Sequence, residues 1–409
     1  MSTPQRARGG PLDGVRVLDL SSVVAGPWAT HVLAGFGADV IKVEPPDGDI
    51  MRYAPPARHR GMGAEFVQMN GSKRSVALDL KRDADRGALL ALCAHADVLV
   101  HNVRPAAMRR LRLDYDDVAA ANPAIVYVSI VGFDQSGPYA ARPAYDDLIQ
   151  GASGLASLFP AAGGGEPRYV PSLIVDRISG LSAVNAILAA LVERGRSGIG
   201  QALEVPMFET MAELVLADHL GGHTFEPPAG PFGYSRVLTP YRRPYRTSDG
   251  YVCVLLYNER HWERFFTAAG RFAEYAADPK LSDDTLRRQD YDYAYGLVAE
   301  ILATRTSAEW LALLETNDIP VMPLNDIPSL VDDPQLTATA FFTTTEHPTE
   351  GTLRTMRTPT RWSRSPQTTP SPAPRLGEHT ADVLRAAGVD EAQIAAILAR
   401  ENAPPARNA

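Results

Sequence analysis

Between residue 15 and about residue 220, short apolar runs alternate with stretches of helical length, and this alternation constrains the fold more than any other feature of the chain. Residues 15–21 (VRVLDLS) have the pattern of a buried strand. A short turn follows, Val23-Val24-Ala25-Gly26-Pro27, in which Pro27 suits the first turn of a helix, where its missing N–H is not needed. That helix is expected to run from Trp28 to about Phe36, and residues 38–44 (ADVIKVE) read as a second strand. A helix over 83–95 leads to a strand over 97–102, and a helix near 105–111 precedes a strand over 125–131. Such spacing argues for parallel βαβ units in a right-handed, doubly wound α/β sheet.

Beyond a Gly-rich loop at 161–165, residues 178–192 form a long apolar helix, followed by a strand over 202–205 and a helix from Phe208 to about Leu220. Residues 221–245 are rich in Gly, Pro and Tyr without periodicity, which marks a linker. A second pattern opens at Tyr251 with a strand (YVCVLLY) and a helix over 261–269. Thr306 and Glu309 have the spacing of a capping box for a helix over 307–315. A strand at 319–324, a short helix at 326–331 and two strands around Glu350-Gly351 complete a smaller α+β region. Residues 363–375 (SRSPQTTPSPAPR) read as a Pro-rich tether that packs neither as helix nor as sheet. Two short amphipathic helices, 380–387 and 390–399, follow. The expected division is therefore 10–222, 223–345 and 346–409.

Bulk properties remove several function classes. With 409 residues, 45% apolar and 22% charged, the chain has the composition of an ordinary globular protein of two domains. No apolar run approaches the roughly 20 residues of a membrane-spanning helix. The polar, basic N-terminus lacks an apolar core, so no signal peptide is expected. Two cysteines, Cys93 and Cys253, exclude a disulfide framework and fit a reducing cytoplasmic setting. A net charge of −8 argues against a generic nucleic-acid binder but not against a small anionic ligand met by local positive charge.

The turn after the first strand invites a dinucleotide reading, because Glu44 ends the second strand where a ribose-binding acid would sit. The Gly-x-Gly-x-x-Gly pattern is missing: the turn offers only Gly26, and Gly35 and Gly37 fall at the far end of the helix. No Walker loop and no Gly-x-Ser-x-Gly elbow occurs, so NAD, ATP and serine-hydrolase chemistry are not expected. His219 and His223, beside Asp218, have a ligand spacing, but Gly221 and Gly222 point to a helix end and no metal is expected. Basic residues gather at Lys73-Arg74, at Lys81-Arg82, and at Arg104 with Arg109, Arg110 and Arg112. Each alone reads as solvated surface, whereas the group is a candidate for a polyphosphate. Asp176, in SLIVDRISG, stands at the start of the long apolar helix. It reads either as an N-cap or as a carboxylate kept ionised by the helix dipole and available as a nucleophile.

Taken in order, a set of segments resembles the class III CoA-transferase (CaiB/BaiF) family. They are residues 11–19 (PLDGVRVLD), Ala25-Gly26-Pro27, 37–44 (GADVIKVE), Gly48-Asp49 with Arg52, 70–75 (NGSKRS), 78–81 (LDLK) and Val100-His101-Asn102. The series continues with Gly132-Phe133, Gly137-Pro138, Arg142 to Asp146, 196–201, 319–321 (IPV), Asp333-Pro334 and 376–380 (LGEHT). The resemblance implies a large Rossmann-like domain, an inserted smaller α+β domain and an interlocked homodimer. It implies acyl-CoA and carboxylic acid substrates, with coenzyme A itself lined by Val23, Val24, Ala25, Leu78, Lys81, Asn102, Val103, Arg110, Tyr145 and Met207. It also implies that the residue matching Asp176 attacks the thioester, passing through a mixed anhydride and an aspartyl-CoA thioester. Two departures stand out. Some members carry glutamine where this chain has Val24, and the racemase branch has histidine in the place of Tyr145. A tyrosine is a poor second base, so CoA transfer is expected, with acyl-CoA racemisation at the α-carbon as the alternative.

Overall fold

The computed structural model describes residues 9–365 and 370–401. The first eight residues, the middle of the Pro-rich tether at 366–369 and everything after 401 lie outside the described residues.

Two compact units emerge. The first is built from residues up to Ser153, from Val170–Glu213 and from Thr337 onward; the second comprises Gly154–Tyr169 and Leu214–Leu336. These limits differ from the expected 222/223 and 345/346 divisions for identifiable reasons. Gly163 folds against Pro240, so that an added Cβ would lie 2.9 Å from the proline Cβ, which fixes the Gly-rich loop to the second unit. The hairpin around Glu350 belongs to the first unit, held by the Glu350 carboxylate on the His59 ring at 3.1 Å and by the Gln68 amide donating to the Arg354 carbonyl at 2.9 Å.

The first unit centres on six strands: β1 (Arg16–Asp19), β2 (Asp39–Glu44), β3 (Lys73–Ala77), β4 (Val98–His101), β5 (Val126–Val131) and β6 (Gln201–Pro206). Their order is β3-β2-β1-β4-β5-β6, and every neighbouring pair is parallel. Side chains alternate across the sheet with period two. Leu18, Ile41, Leu99 and Tyr127 face a core completed by Val383, Leu384, Ile394 and Ile397 of the C-terminal helices Thr380–Ala386 and Glu391–Glu401. Their neighbours Val17, Val40, Val98 and Val126 are equally buried. The helices Ala25–Gly35 and Ile174–Ser197 pack on each other and on the sheet. Their crossing requires Gly180, where a Cβ would come within 2.7 Å of the Ala25 carbonyl oxygen. The second of these helices, at 24 residues, is long and apolar enough to cross a membrane by length and composition. Here Val175, Ala183, Val184, Ile187 and Ala190 are buried within the unit.

Strand β3 was not anticipated, because Lys73-Arg74 reads as surface charge. Lys73 is instead inside the protein, 3% exposed. Its ammonium donates to Asp19 Oδ2 at 3.0 Å, Thr30 Oγ1 at 2.8 Å, Asn70 Oδ1 at 2.8 Å and the Pro27 carbonyl at 3.0 Å. Burial pushes the Lys73 pKa down to about 8, against the opposing pull of Asp19. Burial alone would raise Asp19, but Lys73 and Lys42 hold its carboxyl well below the usual range. Arg74 also leaves the proposed polyphosphate group, since it pairs with Asp39.

The far end of the tether is packed as well. The Ser371 carbonyl accepts from Ser72 N–H at 2.9 Å, the Pro374 carbonyl from Arg52 at 3.1 Å, and Ala373 is buried. A proline-rich segment supplies carbonyl acceptors without needing N–H partners of its own, and here it covers the sheet edge at β3.

The second unit carries an antiparallel sheet of β7 (Tyr245–Arg246), β8 (Tyr251–Val254) and β9 (Val321–Pro323). Trp262, Phe265, Phe266, Trp310 and Leu314 form its core, with the Trp310 indole N–H donating to the Leu302 carbonyl at 2.8 Å. Thr306 and Glu309 form the expected capping box. The helices Phe272–Ala277, Pro279–Ser282, Asp284–Gln289 and Tyr291–Leu302 were not foreseen from the sequence.

Candidate active site

In a doubly wound sheet the ligand crevice lies beyond the carboxyl ends of the strands, where the strand order reverses direction. Here that point falls between β1 and β4. A cleft of about 270 Å³ opens there, formed by the turn after β1, the loop after β4, the end of β5 and the start of the helix after β6. Asp176 lies in its wall. So do Val23, Val24, Ala25, Asn102, Val103, Tyr145 and Met207, which the structure brings together from four separate segments. A larger hollow of about 650 Å³, bordered by Tyr53, Arg60 and Arg375, lies elsewhere in the same unit. Its acid, Glu350, is engaged by His59. The cleft at the strand ends is the better candidate because it joins the switch point to a carboxyl group that accepts no hydrogen bond among the described residues.

Three expected residues lie outside the cleft lining. Leu78 is 1% exposed and packs in the sheet core, so its side chain is not available to a ligand. Lys81 and Arg110 are exposed, the latter on the helix Pro105–Leu111. The cations that do line the cleft are Arg104 and Arg142. Arg142 stacks over the Tyr139 ring at 4.0 Å.

Asp176 occupies the first turn of the helix Ile174–Ser197, whose N-cap is Leu173 without a side-chain cap. The cap is supplied from 30 residues away: Asp146 Oδ2 accepts the N–H groups of Val175 at 2.8 Å and of Asp176 at 3.1 Å. Asp146 Oδ1 accepts from the Gln150 amide at 2.6 Å, and Gln150 in turn accepts Val170 N–H at 2.8 Å. Asp176 is therefore not the N-cap, and its carboxyl group makes no hydrogen bond among the described residues. Burial is the main reason its pKa rises to about 6; the neighbouring Asp146 adds to the rise and Arg177 opposes it. This corrects the expectation that the helix dipole would simply hold the acid ionised. Arg177 points to Glu65 at 2.6 Å and covers the Trp28 ring at 4.3 Å.

Asn102 does something the sequence did not disclose. Its amide pairs with one residue as a neighbouring strand would, Oδ1 accepting Ser22 N–H at 3.0 Å and Nδ2 donating to the Ser22 carbonyl at 2.8 Å. It joins the two loops across the switch point. Behind it, the buried His101 ring bonds the Val103 carbonyl at 3.1 Å and Ser129 Oγ at 2.8 Å, and burial lowers its pKa to about 4. The neutral ring donates from Nδ1 and accepts at Nε2, which steadies the loop at Val103. Sequence reasoning gave no role to Asp146, Arg104 or Arg142 individually. The acidic start of the helix Asp146–Ala152, within the segment 142–146 that resembles the family, was the available signal for Asp146.

His219 and His223 do not form a ligand pair. His219 closes the helix Met207–His219 and its ring accepts Tyr234 N–H at 3.4 Å, while His223 stacks on Phe232.

A parallel six-stranded sheet with an acid-bearing cleft at its switch point defines a Rossmann-type α/β enzyme architecture. The chain belongs to CoA-transferase family III, whose family description matches residues 12–380, and it is a transferase of that class acting on CoA thioesters. It is 32% identical over 387 residues to a succinate–glutarate CoA-transferase of Agrobacterium fabrum, covering 91% of this chain and 95% of that protein. A succinyl-CoA:mesaconate CoA-transferase of Haloarcula hispanica is 32% identical over 401 residues, covering 93% and 97% respectively. The crystal structure of a CaiB/BaiF family protein from Brucella suis superposes with a TM-score of 0.78 at 30% identity, covering 93% of this chain and all of that one.

Proposed function

We propose that the protein moves coenzyme A between two carboxylic acids, with Asp176 as the nucleophile. The carrying observation is the Asp176 carboxyl group, which lines the cleft, is partly buried and accepts no hydrogen bond among the described residues. In the ionised form, a carboxylate oxygen attacks the thioester carbonyl carbon; the C–S bond breaks, giving a mixed anhydride and CoA thiolate. The thiolate then attacks the Asp176 carbonyl carbon and releases the first acid as its carboxylate, leaving an aspartyl-CoA thioester. The incoming acid's carboxylate repeats these steps in reverse and leaves with CoA. A nucleophile that forms an anhydride keeps the acyl group activated, provided water is excluded. The named relatives favour dicarboxylic acids as substrates.

Tyr145 stands in the cleft wall, 67% exposed, where a racemase would need a second base. A phenol serves poorly as a general base in that role, which favours transfer over α-carbon exchange. The chain leaves the first unit after Glu213 and returns at Thr337, which supports reading the second unit as an inserted domain. An interlocked homodimer working in the cytoplasm completes the proposal; sedimentation at micromolar concentration giving a monomer would remove the dimer from it.

The test is to incubate the enzyme with succinyl-CoA and glutarate, follow products by mass spectrometry, and map any adduct after peptide digestion. The expected result is CoA transfer with a covalent label on the Asp176 peptide. Asp176→Ala is expected to stay folded and to bind CoA while losing turnover. Undiminished activity in that variant, or deuterium entering the α-carbon without transfer, would overturn the assignment.

A further inference from the structure

The turn after β1 is held by an unusual density of side chains. Ser21 N–H donates to Asp19 Oδ1 at 3.0 Å, and the Ser21 carbonyl accepts from Lys42 Nζ at 2.8 Å. Asn102 takes both the N–H and the carbonyl of Ser22. Val23 N–H donates to Asp49 Oδ1 at 3.2 Å. Five consecutive backbone groups are thus fixed by four side chains, three of them carried on β1, β2 and the loop after β4. Lys42, Asp49 and Asp19 are essentially buried, and Lys42 pairs with Asp49 at 3.0 Å. Asp49 Oδ1 also accepts Met51 N–H at 3.0 Å, which anchors it at the start of the short helix Ile50–Tyr53.

What this cradle holds is a strained residue. Val23 has φ +69°, the left-handed region, which a β-branched side chain rarely enters. Such a conformation persists only where the surroundings over-determine it, and it concentrates at sites where geometry matters. Val23 and its successors Val24 and Ala25 line the cleft that holds Asp176. Close packing behind the turn adds to the constraint: a Cβ on Gly26 would fall 2.2 Å from Ser21 Cβ.

We infer that Asp49, with Lys42 as its buried counter-ion, is a positioning residue that forces the Ser22–Val24 turn into the geometry the transfer reaction requires. The inference rests on the CoA-transfer reading and extends it from the nucleophile to the opposite wall of the cleft. Asp49 is not among the residues that line the cleft; it acts through the Val23 N–H. An apolar core at this place would be cheaper to fold, since buried ions cost desolvation that their pairing only partly returns. A positioning role accounts for an ion pair placed directly beneath a strained, cleft-lining turn.

The experiment uses two variants of the full-length protein, with wild type assayed alongside. Asp49→Asn keeps an oxygen acceptor for Val23 N–H, and Asp49→Ala removes it. Melting temperature, steady-state kinetics and the pH profile are read for each. Asp49→Ala is expected to lose about tenfold or more in kcat, since misplacement of about 1 Å can cost 100-fold. Its KM for acyl-CoA should change less than about twofold, because Asp49 is not among the residues that line the cleft. Asp49→Asn is expected to recover kcat relative to Asp49→Ala when both are assayed well below their melting temperatures. The acid limb of the profile should stay at the wild-type position in both folded variants, since Asp176 is untouched. Equal kcat in the two Asp49 variants would overturn the inference. If Asp49→Ala fails to fold, Asp49→Ser, too short to reach Val23 N–H, takes its place in the comparison with Asp49→Asn. Failure of CoA transfer in wild type itself would instead sink the underlying reading of Asp176.

Discussion

The pH dependence of the first chemical step follows from the surroundings of Asp176, and removing one neighbour changes it in a calculable direction. Its carboxyl pKa stands at about 6 against an ordinary 3.8. That difference is worth roughly 3 kcal/mol in favour of the neutral form. In the proposed reaction the attacking species is the carboxylate, so kcat/KM should rise with pH, with unit slope below about pH 6, and level off above it. At pH 5 the rate should be about a tenth of its plateau. The same shift acts on stability with the opposite sense. The folded protein binds this proton more tightly than the unfolded chain, so stability present below about pH 4 is lost as pH rises from there to about 6. Asp146→Asn removes the like charge while leaving an oxygen for the Val175 and Asp176 N–H groups. The acid limb should then move down, yet remain above the ordinary carboxylate value, because burial is the larger cause. Arg177→Met should move the limb the other way, above about pH 6, since the guanidinium is the opposing influence. The assay is kcat/KM for acyl-CoA from pH 4.5 to 8 at constant ionic strength. A wild-type limb near pH 4, or both variants shifting in the same direction, would refute the reasoning.

Two further outcomes are expected. Lys73→Met leaves Asp19 buried with one cation fewer and should cost roughly 3–5 kcal/mol in urea unfolding; a cost below 1 kcal/mol would mean that Asp19 is neutralised another way. Arg104→Ala should raise KM for acyl-CoA by about tenfold, as loss of one charge-assisted hydrogen bond would, while Arg110→Ala stays within about twofold. The reverse order would place the ligand's phosphates outside the cleft lining.

Much of the sheet was legible because its strands are apolar on both faces and are separated by helices of ordinary length, as β1, β2, β4 and β5 show. Asp176 was legible as an acid at a helix start, but not the choice between cap and nucleophile. That choice depended on Asp146, which is distant in sequence and caps through space. Strand β3 escaped because its lysine is buried against Asp19, a pairing visible only once β1, β2 and β3 lie side by side. The three basic groups read as one surface feature resolved into unlike things. Lys73 is a core ion, Arg74 pairs with Asp39, and Arg104 alone among them lines the cleft. The two compact units divide near residues 213 and 336, about ten residues before the expected limits, and the Gly-rich loop and the 342–356 hairpin declare their unit only through contacts remote in sequence.

In the proposed reaction a carboxylate attacks a thioester and faces two opposing demands, which the setting of Asp176 would reconcile. Donors aimed at its oxygens would secure ionisation but would also stabilise the electron pair that has to attack, and the anion would become a weaker nucleophile. Removing all donors and burying the group strengthens the nucleophile but drives it toward the protonated, inert form. With a pKa of about 6, roughly nine-tenths of the population would be ionised at pH 7 while the carboxyl group accepts no hydrogen bond from the described residues, which is near the best compromise for a group working at that pH. The helix N–H groups that would otherwise have supplied those donors are taken by Asp146, whose carboxylate stands close enough to raise the Asp176 pKa further. One side chain therefore caps the helix, takes its first amides and adds a repulsion that raises the Asp176 pKa, which the proposed attack on a thioester would use.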